Sequence, residues 1–434
     1  MADASLLERM RSDWNERARE DAHYYVAFGR HNQDDEEFFA TAREVVYGLE
    51  YELRRLPPLA PRSRRALEIG CGPGRLLRPL SRHFGEIHGV DVSDEMVERA
   101  RANLRGIPHA HVHRGSGADL SQFADESFDF VYSYAVFQHI PERAIVDSYL
   151  KEARRVLKVG GLLWFQVNGL PGDPPFVDTW SGVRFRPEEL VAWANGNDFQ
   201  MYTLEGVGSQ YMWVSLRKRP PGWFRNLSAN PPAGMARIGR ISNPHGTEPV
   251  VPARGRFACA SLWIDGLHPE CGLNHLRVRM GEGWGEPNYI AAPLPDGRQQ
   301  MNVLLPEGIP TGLIPVEVEW LGRRMAPPAT MRVIPPGPMV PRLLSVADAT
   351  DLLSGTVIRH GSVKVTFEEL PDAAGVRFEV DGKPLGKVIA HCADPRRPRW
   401  EFVFSVREFP PGRHDLTIWP GKRPLPAVPF EIAG

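Results

Sequence analysis

Seven consecutive residues, Glu68-Ile69-Gly70-Cys71-Gly72-Pro73-Gly74, hold the sharpest chemical signal in the chain. They lie between an apolar run and a stretch of helical period. A strand that turns at once into a helix needs glycine where φ is positive and where a ligand or another backbone comes into contact. Glycines at 70, 72 and 74 answer both needs, and a tight turn without a ligand is the plain alternative. Asp91 closes the next apolar run, 23 residues after Glu68. A carboxylate about 20 positions past a Gly-rich turn is placed to accept hydrogen bonds from two ribose hydroxyls, because neighbouring parallel strands end at one sheet edge. Alone at a helix start, the same Asp91 would serve only the helix dipole.

The elements that must present this pair surround it. Apolar runs of about five or six residues alternate with helical stretches from 66 to 167, the mark of a parallel sheet with helices on both faces. Ser93 is a good helix N-cap, and Met96, Val97, Ala100 and Leu104 follow at spacings that share one buried face. Residues 3–21 and 34–56 read as two helices ending at Pro57 and Pro58, a cap over the sheet domain. The chain then changes character, since only 11 of its 41 prolines fall within residues 1–218. Residues 219–252 are Pro/Gly/Asn-rich and aperiodic, as a linker would be. Short alternating strands bounded by Gly, Pro and Asn fill 253–336 and 337–434, the pattern of two β-sandwiches.

Length and composition narrow the classes. A chain of 434 residues exceeds one ordinary core, and 42% hydrophobic with 24% charged residues excludes a largely disordered chain. Lys plus Arg is 52 against Asp plus Glu at 53, so no basic balance points to nucleic acid. Four cysteines without a C-x-x-C pair suggest neither a disulfide framework nor a zinc site, and fit a reducing compartment. The charged N-terminus and the lack of a long apolar run lead us to expect a cytoplasmic protein with no membrane partner.

Together these residues resemble the class I S-adenosylmethionine-dependent methyltransferases. The 68–74 loop is similar to that family's first motif, Asp91-Val-Ser-Asp-Glu-Met96 to the segment after the second strand, 128–133 to its fourth strand, and 157–162 to the turn into the fifth. The likeness spans roughly 61–218. It implies a Rossmann-like, seven-stranded methyltransferase domain there, so the whole chain reads as α/β with an N-terminal helical cap over 1–60, followed by two all-β sandwich domains. Nucleotide dehydrogenases carry G-x-G-x-x-G, whose helix receives a pyrophosphate. Here Arg75 stands in place of the last glycine, which favours a phosphate-free cofactor over NAD.

By this resemblance, backbone at Gly70, Cys71 and Gly72 lies against the methionyl part of S-adenosylmethionine, with Glu68 and Gly74 completing the loop. Asp91 holds the ribose, and Val92 or Met96 covers the adenine. Ser116, with Gly117 and Ala118, occupies the place where the family often puts an acid for the adenine amino group, and a neutral hydroxyl accepts that bond more weakly. Ser133 ends the fourth strand and belongs to the same implied site. Tyr134, Gln138 and His139 follow, where methyl and acceptor meet in related enzymes. Methyl transfer is an in-line displacement that asks chiefly for alignment and water exclusion. His139 is the candidate catalytic base for an acceptor hydroxyl, or it bonds loop backbone and sets the turn before Pro141. Tyr24 and Tyr25 of the cap are candidate lid residues over the substrate, or glue the cap to the sheet. Asn168, at the end of the fifth strand, faces the same edge.

The β-rich half shows no catalytic triad, paired carboxylates at active-site spacing or metal cluster. Trp263, Trp284, Trp320, Trp400 and Trp419 form either a glycan-stacking platform or ordinary core. Residues 253–335 loosely resemble Ig-like modules through Leu305, Pro306, Gly308 and Gly312. The expected function is methyl transfer to a small-molecule or carbohydrate acceptor, with the β domains binding or positioning something. A non-catalytic scaffold that keeps the cofactor fold and an NAD-dependent oxidoreductase are the competing readings.

Overall fold

The computed structural model describes residues 4–27, 31–172, 177–232, 234, 236–246, 248–350, 355–394 and 398–434. The chain opens with α1 (Ala4–Ala27), α2 (Asp35–Ala40) and α3 (Arg43–Leu53). The expected second helix is thus divided in two. Its start is set by a reciprocal cap, in which Asp34 accepts from the Glu37 N–H at 2.9 Å and Glu37 accepts from the Asp34 N–H at 3.3 Å.

The sheet domain follows as β1 (Arg65–Ile69), α4 (Leu77–Leu80), β2 (Glu86–Asp91), α5 (Asp94–Asn103), β3 (Ala110–Arg114), β4 (Phe128–Ser133), α6 (Arg143–Val156), β5 (Leu157–Val167), α7 (Pro187–Gly196), β6 (Phe199–Glu205) and β7 (Met212–Lys218). Its strand order is β3-β2-β1-β4-β5-β7-β6. The first five strands are parallel, and β7 runs antiparallel to both β5 and β6. Strand order reverses at β1, which lies between β2 and β4, so a crevice opens at the carboxyl ends of these three strands. The Ser93 hydroxyl caps α5 by accepting from the Met96 N–H at 3.2 Å, and Met96, Val97, Ala100 and Leu104 are buried as expected.

Residues 219–252 depart from the expected linker. They carry α8 (Trp223–Ala229), β8 (Arg237–Ser242) and β9 (Val250–Pro252), whose brief alternation was hidden among turn residues. The strands that follow are β10 (Cys259–Asp265), β11 (Leu276–Met280), β12 (Gly283–Ile290), β13 (Gln299–Leu304), β14 (Gly312–Trp320), β15 (Arg323–Arg324) and β16 (Ala329–Ile334). β8 pairs with β10 and β9 with β16, so both belong to this sandwich.

Nor does this first sandwich stand apart from the sheet domain. Tyr289 of β12 pairs with Thr203 of β6, so one sheet continues across the seam. One apolar core runs from Leu67 and Phe130 through Met201 to Val278 and Val316. Asn274 pins the seam, its Oδ1 accepting from the Met201 N–H at 2.7 Å and its amide donating to the Phe199 carbonyl at 2.9 Å. The strands within 342–432 form a second sandwich with sheets of four and five strands, closed around its own core of Phe367, Phe378, Phe402 and Phe430. Among the described residues, no helix is long and apolar enough to cross a membrane.

Two truncations test this division of cores. A chain ending at 336 should melt within about 5 °C of the corresponding transition in the full protein. A chain ending at 218 should unfold far lower or aggregate, because it bares the β6 edge and part of the shared core. Equal melting points in calorimetry would contradict the seam.

Candidate cofactor cleft

A cleft of about 910 Å³, counting the space at its mouth, lies at the carboxyl ends of β1, β2 and β4. The turn after β1 forms its floor. Gly70 and Gly72 have φ of +73° and +50°, in the left-handed region that favours glycine. A Cβ at Gly70 would sit 2.3 Å from Val136 Cγ2, and one at Gly72 would sit 3.2 Å from Val26 Cγ2. The turn is therefore closed to larger residues by both conformation and space.

Asp91 joins this turn to the next helix. Its Oδ2 accepts from the Gly72 N–H at 2.8 Å and its Oδ1 from the Ser93 N–H at 2.9 Å. Desolvation pushes its pKa up to about 6, against those two hydrogen bonds. Glu68, 3% exposed, accepts a hydrogen bond from the Tyr132 hydroxyl at 3.0 Å. Burial pushes its pKa up to about 8, with Arg75 pulling the other way, so the group is largely protonated at neutral pH. Burial also pushes the Cys71 thiol well up, which makes it packing rather than a nucleophile.

The cleft brings together eleven of the residues singled out in the sequence: Glu68, Gly70, Cys71, Gly72, Asp91, Val92, Met96, Gly117, Tyr25, Tyr134 and His139. Seven others lie outside its lining, each for a local reason. Gly74 faces Leu104 and serves helix packing. The exposed Ser116 spends its hydroxyl on the N–H groups of Ala118 and Asp119, at 3.2 and 3.0 Å, which turns this segment back on itself and keeps Ala118 out of the cleft as well. Ser133 is buried and donates to the Ile69 carbonyl at 3.0 Å, tying β4 to β1. Tyr24 stacks on His31 with ring centroids 3.8 Å apart, which glues the cap together. Asn168 accepts from the Leu170 N–H at 3.1 Å and shapes its own turn. Gln138 is buried, accepting from Gln166 Nε2 at 2.5 Å and donating to His139 Nε2 at 3.1 Å.

His139 is held at both nitrogens. Nδ1 faces the Trp180 carbonyl at 2.6 Å and must donate to it, which leaves Nε2 to accept from Gln138. Burial lowers its pKa to about 4. The ring borders the cleft, yet its geometry is that of a neutral group that anchors a loop.

Several lining residues, Met10, Val26 and Arg75 among them, were not foreseen as site residues. Met10, Trp14 and Val26 of α1 close the cleft from the cap side. Arg75, only 4% exposed, donates from Nη1 to Thr41 Oγ1 at 3.2 Å and sits 5.0 Å over the Tyr134 ring, while its Nε has no hydrogen-bond partner among the described residues. The available signal was a cationic residue directly after the last glycine of the loop. Among the described residues, no three His, Cys, Asp or Glu side chains gather as a metal site.

Comparison with known proteins bears on the same segment. Residues 67–165 match the family described as a methyltransferase domain. A 37.1 kDa protein of transposon TN4556 from Streptomyces fradiae is 40% identical over 101 residues, 23% of this chain and 28% of the relative. A ubiquinone biosynthesis O-methyltransferase from Sinorhizobium fredii is 31% identical over 100 residues, 23% of this chain and 39% of the relative. The chain thus spans well under half the length of these relatives. Among solved structures, a geranyl diphosphate C-methyltransferase from Streptomyces coelicolor A3(2) aligns at 15% identity over 49% of this chain and 97% of its own, with a TM-score of 0.38.

The buried carboxyl of Glu68 gives a signed pH test. Its proton is held more tightly in the folded protein than in the unfolded chain, whose value is near 4.5. Its contribution to stability therefore falls as pH rises from about 5 to about 8. Glu68→Gln keeps an acceptor for Tyr132 and removes this slope. Urea midpoints of wild type minus variant should decline across that range, and a flat difference would refute the raised pKa.

Proposed function

We propose that this chain, whose residues 67–165 match a methyltransferase-domain family, transfers a methyl group from S-adenosylmethionine to a hydroxyl of a small-molecule or sugar acceptor. The observation that carries the reading is the Gly70–Gly72 turn and Asp91 joined on the floor of one cleft. The donor set suits a ligand with one carboxylate, one ribose and one purine. Asp91 would accept from the ribose hydroxyls. Arg75, a buried cation with an unmatched Nε, would pair with the methionyl carboxylate. Gly70 and Gly72 would admit the cofactor's backbone-facing side, and Val92, Met96 and Gly117 would offer the adenine an apolar surface.

When bound, the cofactor supplies an electrophilic methyl group on a sulfonium. The chain's own task is then alignment and dryness. Met10 and Trp14 of α1 cover the cleft against water, and Tyr134 borders it on the side of β5 and β7. His139 positions the loop after β4 through the Trp180 carbonyl and does not serve as a base. As the acceptor oxygen takes the methyl and the sulfonium leaves as a thioether, the hydroxyl proton therefore passes to water at the mouth of the cleft. Oxygen as the accepting atom is supported by the O-methyltransferase name of the Sinorhizobium relative.

Two measurements check this assignment. Asp91→Asn should weaken S-adenosylhomocysteine binding about 10- to 100-fold in calorimetry, the worth of hydrogen bonds to a charged group, and wild-type affinity should fade as pH drops below about 6. Unchanged affinity would remove the ribose role. His139→Asn should cost less than the hundredfold or so that loss of a general base brings, measured as kcat once an acceptor is in hand.

A further inference from the structure

A second concavity, about 740 Å³ counting its mouth, lies on the seam between the sheet domain and the first sandwich. Five strands build its floor. Trp164 of β5 pairs with Ser215 of β7, Ser215 with Thr203 of β6, Thr203 with Tyr289 of β12, and Tyr289 with Asn302 of β13. Residues in register across neighbouring strands share a face, so this single row crosses the seam on one side of the sheet. Trp213 and Glu205, paired with each other two positions along, stand beside it. Helix α3 forms the opposite wall with Tyr47 and Tyr51, which are 67% and 39% exposed.

The chemistry of the lining is mixed in a particular way. Trp164 and Trp213 lie nearly parallel, with centroids 5.1 Å apart and planes at 25°. Thr203 Oγ1 is buried and has no hydrogen-bond partner among the described residues. Asn302 Oδ1 accepts from Ser261 and Gln300, at 2.7 and 2.8 Å, so the amide N–H groups are the donors this lining residue has to offer. Glu205 supplies a carboxylate. Both acids are already engaged: Glu205 has a partner of its own, and Glu52 pairs with Arg55 at 2.8 Å and accepts from the Ser215 hydroxyl.

The cleft is also tied to the cofactor cleft. Tyr134 lines the cofactor cleft, and its ring lies 6.4 Å from Trp164 and 5.6 Å from Trp213, nearly parallel to both. One row of aromatic rings therefore leads from the expected position of the methyl group to the seam.

We propose that the seam cleft is the subsite for the sugar portion of the acceptor, a proposal that rests on the methyltransferase reading above. A pyranose presents apolar C–H faces to aromatic rings and hydroxyls that both donate and accept. The rings, the Asn302 amide and the Thr203 hydroxyl, which both donates and accepts, match that set. A quaternary ammonium would also favour rings and a carboxylate, but the Asn302 N–H groups oppose it.

Saturation-transfer NMR tests the subsite with the methyl glycosides of glucose, galactose, mannose, rhamnose and N-acetylglucosamine, and with tetramethylammonium as the cation. The full-length wild type and the Tyr47→Ala/Tyr51→Ala variant are compared, since these exposed rings can be removed without disturbing the core. At least one glycoside should bind the wild type and bind the variant about tenfold or more weakly, with equal melting points and equal affinity for S-adenosylhomocysteine. The sugar subsite is overturned if no glycoside binds, if binding survives in the variant, or if tetramethylammonium alone binds. Should the wild type bind sugars but not S-adenosylhomocysteine, the methyltransferase reading falls, and the acceptor role of this cleft falls with it. Binding of the nucleoside without any glycoside rejects the sugar subsite alone.

Discussion

The Asp91 carboxylate holds the cofactor end of the molecule in shape. Each of its oxygens receives a backbone N–H, one from Gly72 in the turn after β1 and one from Ser93 at the start of α5. Two strand ends and a helix start are thereby tied at one point. Hydrogen bonds to a charged group contribute about 1.5–3 kcal/mol each, which offsets part of the desolvation that raises this carboxyl. Glycine is required at 70 because Val136 fills the space of a Cβ, so the turn and the loop after β4 are packed as one unit. A ligand entering here meets a carboxylate whose position is already set.

Two kinds of closure then operate on the sheet. The cap helix α1 brings Met10, Trp14, Tyr25 and Val26 over the Gly turn and leaves a largely apolar chamber. At the other side, pairing of Thr203 with Tyr289 carries the sheet into the sandwich and makes a polar, ring-lined cleft that neither body could form alone. A sandwich with its own separate core, such as the one at 342–432, contributes none of its described residues to either cleft. The contrast gives the first sandwich a part in shaping the functional face and leaves the second outside it.

Much of the lining of the first cleft was legible in the sequence because its signals are local. Glycines at 70 and 72, an acid ending the next strand and a Ser93 cap act within a few residues of themselves, and each stands where its type suggested. Ser116 lies outside the cleft lining because a hydroxyl next to small residues satisfies neighbouring amides as readily as a ligand. His139 could be read as a base from its position after β4 or as a loop anchor, and only the structure shows that both of its ring nitrogens have partners. Arg75 was seen as a departure from a dinucleotide motif, while its burial beneath the cap depends on Thr41, far away in sequence. The seam was hidden altogether, since strand pairing between 203 and 289 leaves no periodic trace and the strands at 237–242 and 250–252 are short and set among turn residues.

The most direct measurement is a crystal structure of the full chain grown with S-adenosylhomocysteine. The ribose hydroxyls are predicted within hydrogen-bond distance of Asp91, the methionyl carboxylate against Arg75, and Trp14 over the bound nucleoside. Density for the nucleoside elsewhere, or none with the side chains of α1 packed into the cleft, would contradict the cofactor assignment.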